Sequence, residues 1–362
     1  MNGTPSFRNK IISCRTSFTK NAAGSSVRGV FLCLSTACLT IYTACIPHQA
    51  SADYPIGFEP FSSRDQNILN LIHGQALPTN ASLVDSSQSK WNTSLIITNT
   101  LNTDSNSNEY IYLDYESYRL NLSYQYGFSE NWNVKFDIPL VHTTGGVFDS
   151  AIDDWHAFFG LNRGNRPYVD DNQLQVNYAY QNQTLVDQEQ SSTTIGDIQL
   201  AVAHTLKDGE DSSMSAWASV KLPTGDEDYL SGSGATDVSA WFAMNQSISQ
   251  NWFFNFNAGA VFLGQDDFNG VPLADYTFYG HAMLNWLLVE GFSLKLQLQG
   301  HSSYYDESQL TILGDTAFLT FGGTIKINQC QQIDIAMSED IIVDASPDAS
   351  LIISWHHFPA AC

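Results

Sequence analysis

The feature that most constrains this chain is an alternation of apolar and polar side chains, with a period of two, that returns from Trp91 to Phe358. Between Trp132 and His142 one parity carries Trp132, Val134, Phe136, Ile138 and Leu140, and the other carries Asn133, Lys135 and Asp137. From Phe292 to His301 the apolar parity is Phe292, Leu294, Leu296 and Leu298, opposed by Ser293, Lys295, Gln297 and Gln299. Such a period sends successive side chains to opposite faces of a β-strand, so each segment has one oily and one polar face. The series continues in Trp91–Leu101, Tyr118–Tyr126, Ile195–Leu206, Met214–Leu222, Val238–Ile248 and Trp252–Phe262, then in Tyr276–Leu288, Ala317–Ile327, Ile333–Ile341 and Ala349–Phe358. That makes about twelve strands, an even number, as an antiparallel barrel with both ends on one side requires.

A soluble sandwich or lipocalin-like barrel would show the same alternation. Turn length and aromatic placement separate the two. Short connections at Gly127–Asn131, Lys207–Ser213, Ser249–Asn251, Val289–Gly291 and Asn328–Gln331 alternate with long ones at Thr143–Thr194, Pro223–Asp237, Gly264–Asp275 and Ser302–Asp315. A barrel with short periplasmic turns and long external loops has this pattern. Beside the short turns, on the apolar parity, stand Trp91, Tyr126, Trp132, Trp252, Trp286, Phe292 and Trp355. They form an aromatic girdle at one membrane interface. Charged residues make up only 14% of the chain against 43% hydrophobic, which leaves part of the surface for a partner other than water.

The first 52 residues hold Arg8, Lys10, Arg15, Lys20 and Arg28 and no acid, followed by an apolar or small-residue stretch from Val30 to Cys45 and the small-X-small site Ala50-Ser51-Ala52. The order predicts a signal peptide over 1–52, cleaved before Asp53. A lipobox at Tyr42-Thr43-Ala44-Cys45, with Tyr where a branched aliphatic residue is usual, and a retained anchor are the competing readings. Five of the 15 basic residues leave with that segment, so ten face 37 acidic ones, a balance that excludes nucleic acid as a partner. Beyond Asp53 no window approaches the ~20 apolar residues of a spanning helix, so membrane entry must be by a closed barrel. The expected organisation is a periplasmic N-terminal arm or small plug over 53–89, a barrel over 90–358 and a periplasmic tail over 359–362. Trp355-His356-His357-Phe358 looks like the aromatic-ended signal read by barrel assembly machinery, although Pro359–Cys362 extend beyond it.

Particular residues add a resemblance. Glu59-Pro60-Phe61 through Arg64-Asp65-Gln66-Asn67, the Asp114–Phe128 stretch with Arg119 and Gly127, and Ile138-Pro139 followed by Gly145, Gly146, Asp149, Ile152, Trp155, His156, Phe159, Gly160, Leu161 and Arg166 carry it. On these the chain resembles a bacterial outer-membrane β-barrel family of unknown function (DUF3187-like). Ile68, where Pro is expected, and the tail after Phe358 depart from it. More loosely, Ile195-Gly196-Asp197, Leu222-Pro223-Thr224-Gly225 and Gly232–Asp237 are similar to barrels implicated in uptake of aromatic compounds. The resemblance implies a fold and a location, the outer membrane of a Gram-negative cell, and no activity.

The expected fold is thus all-β: a transmembrane antiparallel up-and-down barrel with one short helix in a long external loop. Arg119, Lys135, Lys221, Lys295 and Lys326, with Asp137, Asp197, Asp237, Asp315 and Asp334, fall on the inward parity and are read as lumen-lining. A charged lumen can hold water and select solutes, and a salt-bridged filling of a narrow barrel would use the same residues. Ile152, Trp155 and Phe159 recur at helical spacing within Phe148–Leu161, so that Trp155, His156 and Phe159 can narrow the external mouth or pack on its rim. Acidic loop residues Asp226, Glu227, Asp228, Asp266, Asp267, Asp306 and Glu307 should concentrate cations there. No Gly-X-Ser-X-Gly elbow, phosphate loop or metal-ligand spacing occurs, so neither a catalytic residue, a cofactor nor a metal is expected. The reading is a channel or transporter for small polar solutes, set among outer-membrane lipid and lipopolysaccharide. A closed structural barrel and a lipid-modifying enzyme are the alternatives. Cys330 and Cys362 are the cysteines left after cleavage, and both fall at the periplasmic end, an oxidising compartment, so a disulfide between them is expected, with two unpaired thiols as the alternative. Mature protein purified without reductant should titrate no free thiol after denaturation. Two thiols would break the pairing.

Overall fold

The computed structural model describes residues 59–150, 154, 157–158, 160, 169–342, 345–347 and 349–361. Its strands are β1 (Ser89–Ser105), β2 (Glu109–Ser129), β3 (Trp132–Thr144), β4 (Gln175–Tyr180), β5 (Gln183–Gln188), β6 (Ser192–Ile195), β7 (Ile198–Asp208), β8 (Ser212–Leu222) and β9 (Asp237–Ser247). They continue as β10 (Trp252–Phe262), β11 (Asp267–Phe268), β12 (Val271–Pro272), β13 (Tyr276–Val289), β14 (Phe292–His301), β15 (Thr316–Asn328), β16 (Gln331–Asp340) and β17 (Ala349–His357). Twelve of them close a ring in the order β1-β2-β3-β7-β8-β9-β10-β13-β14-β15-β16-β17 and back to β1. The closing seam runs antiparallel from Trp91 opposite His357 to Asn99 opposite Ala349. Every neighbouring pair is antiparallel, so the twelve alternating segments of the sequence are the twelve staves of a barrel.

The connection Thr143–Thr194, expected as a loop, carries strands of its own. The outer part of β2, from Glu109 to Asp114, leaves β3 and pairs with β4, and β4 pairs with β5. The single strand expected over Ile195–Leu206 is split: β6 pairs with the outer end of β3 and β7 with its inner part. The split falls at Gly196-Asp197, opposite Pro139, which has no N–H to give a partner strand. Of the helix expected over Phe148–Leu161, Asp149, Ser150, Asp154, Ala157 and Phe158 are helical, while Trp155, His156 and Phe159 lie outside the described residues.

Outward faces are oily along the barrel: Leu122, Phe136, Ile138, Leu200, Leu284, Leu294, Leu296, Phe321, Ile335 and Ile353 are all exposed. Trp91, Trp132, Trp252, Trp286 and Trp355 ring the short-turn end, with Trp252 and Trp286 stacked at 5.3 Å. At the other end Tyr276 packs on the outside against Phe262 in a tilted contact and against Phe278 in a T-shaped one. Trp252 and Phe262 bound one strand, and a strand of that length, tilted at ~40°, stands ~25 Å tall, the height of the apolar band of a membrane barrel. This is a transmembrane β-barrel of the outer-membrane type.

Polar side chains face inward, and the chain before β1 lies among them. Helix α1 (Ile68–Leu71), capped by Asn67 Oδ1 on the N–H of Leu69, sits at the long-loop end. There Ile68, Leu69 and Ile72 pack with Ile111, Leu113 and Tyr115 of β2, Val176 and Tyr178 of β4, and Leu230, Phe268, Tyr304, Tyr305, Leu310 and Ile312 of the loops. This apolar core caps the barrel mouth. A charge on the oily wall has no such partners, so Leu296→Arg should cost roughly 2–4 kcal/mol of unfolding free energy, as expected for Arg near the bilayer midplane. Urea titration in lipid vesicles, followed by heat-modifiable migration, measures it; an unchanged midpoint would mean that this face does not meet lipid.

Candidate functional site

The candidate site is the lumen, and residues 59–84 fill much of it. Their path can be followed by hydrogen bonds. Lys295 donates to Glu59 O (2.7 Å), Gln297 holds Phe61, Gln299 donates to Ser63 Oγ, and His301 Nε2 meets Asp65 Oδ2 at 3.1 Å. Residues 59, 61, 63 and 65 thus climb β14 in step with 295, 297, 299 and 301. After α1 the chain turns at Gly74, where an added Cβ would stand 2.6 Å from Asp237 Cβ, so only glycine passes this close to β9. It then descends past Gln199, which donates to Gly74 O at 3.0 Å, Asn257, which holds Thr79, and Asn245. It leaves the lumen beside Asn133 and Gly127.

Three wall amides grip this segment in the same way. Gln297 accepts from Phe61 N (2.9 Å) and donates to Phe61 O (3.1 Å). Asn257 accepts from Thr79 N (2.8 Å) and donates to Thr79 O (3.0 Å). Asn133 accepts from Val84 N (2.9 Å) and donates to Val84 O (2.8 Å). An amide carries a donor and an acceptor side by side, so it satisfies both backbone groups of one buried residue. At the turn Arg64 serves carbonyls only, donating to Leu71 O (2.6 Å), Gln75 O (2.7 Å) and His73 O (3.2 Å).

The expected charged residues fall into separate groups. Lys221 joins Asp197 (2.5 Å) and Ser233 Oγ (2.6 Å), and stands 3.4 Å from Asp237, an ion pair longer than a hydrogen bond. Asp197 also accepts from Gly225 N (2.8 Å), and Asp237 from Gly264 N (3.0 Å), which ties two external loops to this buried triad. Lys295 meets both oxygens of Asp334, which also accepts from Thr324 (2.6 Å) and His356 (3.1 Å). Lys135 pairs with Asp137 at 2.8 Å, and Ser123 donates to the same carboxylate. Arg119 is buried and bonds Asn121. Lys326 is half-buried at the short-turn end and has no ion pair among the described residues. Asp315 precedes β15 and accepts from Ser303 N (3.0 Å), so it closes an external loop instead of lining the lumen. Cys330 is disulfide-bonded; Cys362 lies outside the described residues.

Two of the cavities between this segment and the wall each hold ≈ 20 Å³, room for a water or two. One is bordered by Glu59, Lys90, Asn92, Ser123, Gln125 and Lys135, the other by Arg64, Arg119, Asn121, Asp137, Asp197 and Lys221. Leu77 borders both, and the two lie at successive levels of β2 and β3. Above them Tyr304 and Tyr305 donate to Gln75 Oε1 (3.0 Å) and Leu69 O (2.9 Å), and burial holds both phenols well above their ordinary pKa, so they remain donors. The acidic loop residues Asp226, Glu227, Asp228, Asp266, Asp267, Asp306 and Glu307 are all exposed at this end. The inward amides carried no charge to mark them in the sequence. Their signal was Asn or Gln repeating at every second position, as in Asn255-Phe256-Asn257 and Gln297-Leu298-Gln299.

A family model described as "Protein of unknown function (DUF3187)" matches residues 36–358. No curated protein matches the chain. Among solved structures, the COG4313 outer membrane channel from Pseudomonas putida F1 aligns with a TM-score of 0.52 at 12% identity, over 78% of this chain and 100% of that one. The NanC porin (TM-score 0.42, 9% identity, 74% and 98% covered) and the P. putida toluene transporter TodX (0.39, 9%, 77% and 91%) are more distant. At these identities the likeness concerns the fold.

Lys221→Gln would leave Asp197 and Asp237 buried together without their cation, at a cost of about 3–5 kcal/mol. Lys326→Gln removes the same charge from a half-buried site without an ion pair and should stay within about 0.5 kcal/mol of the parent. Urea midpoints of the two variants, measured side by side, should separate accordingly.

Proposed function

The chain belongs to the DUF3187 family of proteins of unknown function, and we propose that it is an outer-membrane channel for small polar solutes that rests shut under its own N-terminal segment. The way that segment is held carries the reading. Inside the barrel it is bound mainly by hydrogen bonds from wall side chains, singly or in pairs, each bond between neutral groups worth a net ~0.5–1.5 kcal/mol and exchangeable with water. The wall itself closes through its own backbone ladder and needs nothing from the lumen to stay closed. The two polar cavities along β2 and β3 mark where a water path widens if the segment shifts. Conduction is a use this fold carries in the P. putida channel, although fold alone does not assign function. The acidic rim would favour cations at the mouth, and lipid and lipopolysaccharide would meet the oily wall.

A closed structural barrel is the second reading. It is favoured by the apolar cap and by cavities no larger than one or two waters.

A lock separates the two readings. Ser63 Oγ and Thr320 Oγ1 lie 3.4 Å apart between segment and wall, so Ser63→Cys with Thr320→Cys should form a bridge across them. In planar bilayers the parent should show discrete conductance with or without reductant. The double variant should be silent when oxidised and should conduct after reduction. Silence of the parent across a wide voltage range would leave the structural barrel.

A further inference from the structure

Arg119 is a buried, lumen-facing cation with no ion pair among the described residues. It projects from the inward face of β2 and is only 8% exposed. Its single hydrogen bond runs from Nε to Asn121 Oδ1 at 3.1 Å, and no carboxylate lies within ion-pair distance. A guanidinium has five N–H donors, so four remain. The space beside them is the ≈ 20 Å³ cavity that Arg64 and Lys221 also border.

The two carboxylates on that cavity are already engaged. Asp137 takes Lys135 and Ser123. Asp197 takes Lys221, Gly225 N and Ser233 N. Arg64 gives three of its five donors to the carbonyls of Leu71, His73 and Gln75, which does not cancel its charge. Two guanidiniums therefore border one small space, and neither has a carboxylate in direct contact. Asp137 and Asp197 attract both across the space, but a buried charge with no counter-ion in contact is only partly compensated, and water meets its hydrogens without neutralising it.

We infer that this cavity holds one chloride-sized anion, a resident counter-ion bound by the free amino groups of Arg119 and attracted by Arg64. The volume admits a monoatomic ion in place of one or two waters. The N–H groups supply the whole coordination, as spherical halides require. This site does not depend on conduction; it would exist equally in a barrel that never opens.

The probe is bromide, which reports its position by anomalous scattering. Crystals of the full-length mature protein, grown without halide and soaked in sodium bromide, should show one anomalous peak in the cavity beside Arg119. A second arm compares the unfolding rate in urea with sodium chloride against sodium gluconate, whose anion cannot enter. An anion at ten times its dissociation constant should slow unfolding of the parent about tenfold. The rate of Arg119→Gln should be the same in both salts. Bromide found only on the outer surface, or an equal chloride effect in parent and variant, overturns the site. Should Arg119→Gln fail to assemble, Arg119→Lys serves in its place: it keeps the charge with fewer donors, and its chloride effect should be reduced. The bromide map of the parent alone also decides.

Discussion

Everything in this molecule follows from one constraint: within hydrocarbon, each backbone N–H and C=O must find its partner inside the protein. The ring from β1 round to β17 meets it without an edge. Once the ring is closed, the strand period does the rest. Half of every strand faces lipid and must be apolar, as Leu294, Leu296, Ile335 and Ile353 are; the other half faces the lumen and can be polar. Eight strands enclose roughly what their own side chains can fill. Twelve enclose more, so the interior of this barrel needs either water or another piece of chain.

The chain supplied is its own N-terminal segment, and the chemistry of the contact explains why the lumen is rich in amides. An extended segment lying in a barrel brings unpaired backbone groups of its own. Gln297, Asn257 and Asn133 act as short substitutes for a neighbouring strand, each completing both bonds of one residue. The climb along β14 shares this logic. Two extended chains have the same rise per residue, so Glu59, Phe61, Ser63 and Asp65 stay in register with Lys295, Gln297, Gln299 and His301. Charges are used differently. Lys221 and Lys295 each gather carboxylates and loop or segment backbone at one point, pinning distant parts of the chain to the wall.

The barrel was legible in the sequence because lipid forces a strict pattern. Trp252 to Phe262 emerges as β10 without a residue's difference, since a charge on the oily parity would be costly. The pattern weakens outside the membrane. Val176, Tyr178 and Val186 do alternate in β4 and β5, yet they bury one face against a small core and leave the other in water, so the segment looks like loop. The lumen was half legible. Parity placed Lys221, Asp197 and Asp237 on the inward face, but not together, because that meeting depends on the break opposite Pro139 that turns Asp197 toward Lys221. The fit of residues 59–84 was not legible at all. Its partners are uncharged amides more than 170 positions away in the cases of Gln297 and Asn257, and periodicity says nothing of such distances.

The two ends of the lumen are closed by different physics, and this limits how the barrel can open. At the outer end Ile68, Leu69 and Ile72 are buried in a core of loops and extended strands, and each large aliphatic side chain exposed to water would cost ~1.5–3 kcal/mol. Along the two limbs hydrogen bonds to side chains, for which water is nearly an equal substitute, dominate over the ion pair of Glu59 with Lys90 and the smaller apolar contacts of Phe61, Ala76 and Ala81. A segment held this way loosens from its polar limbs long before its apolar tip is released. The cavities point to the same side, since both lie along β2 and β3, between the limb that climbs β14 and the limb that descends past β9 and β10. Any path that opens while α1 stays docked must therefore run along that wall, past Lys135, Asp137 and Arg119, and leave beneath the cap near the break at Pro139.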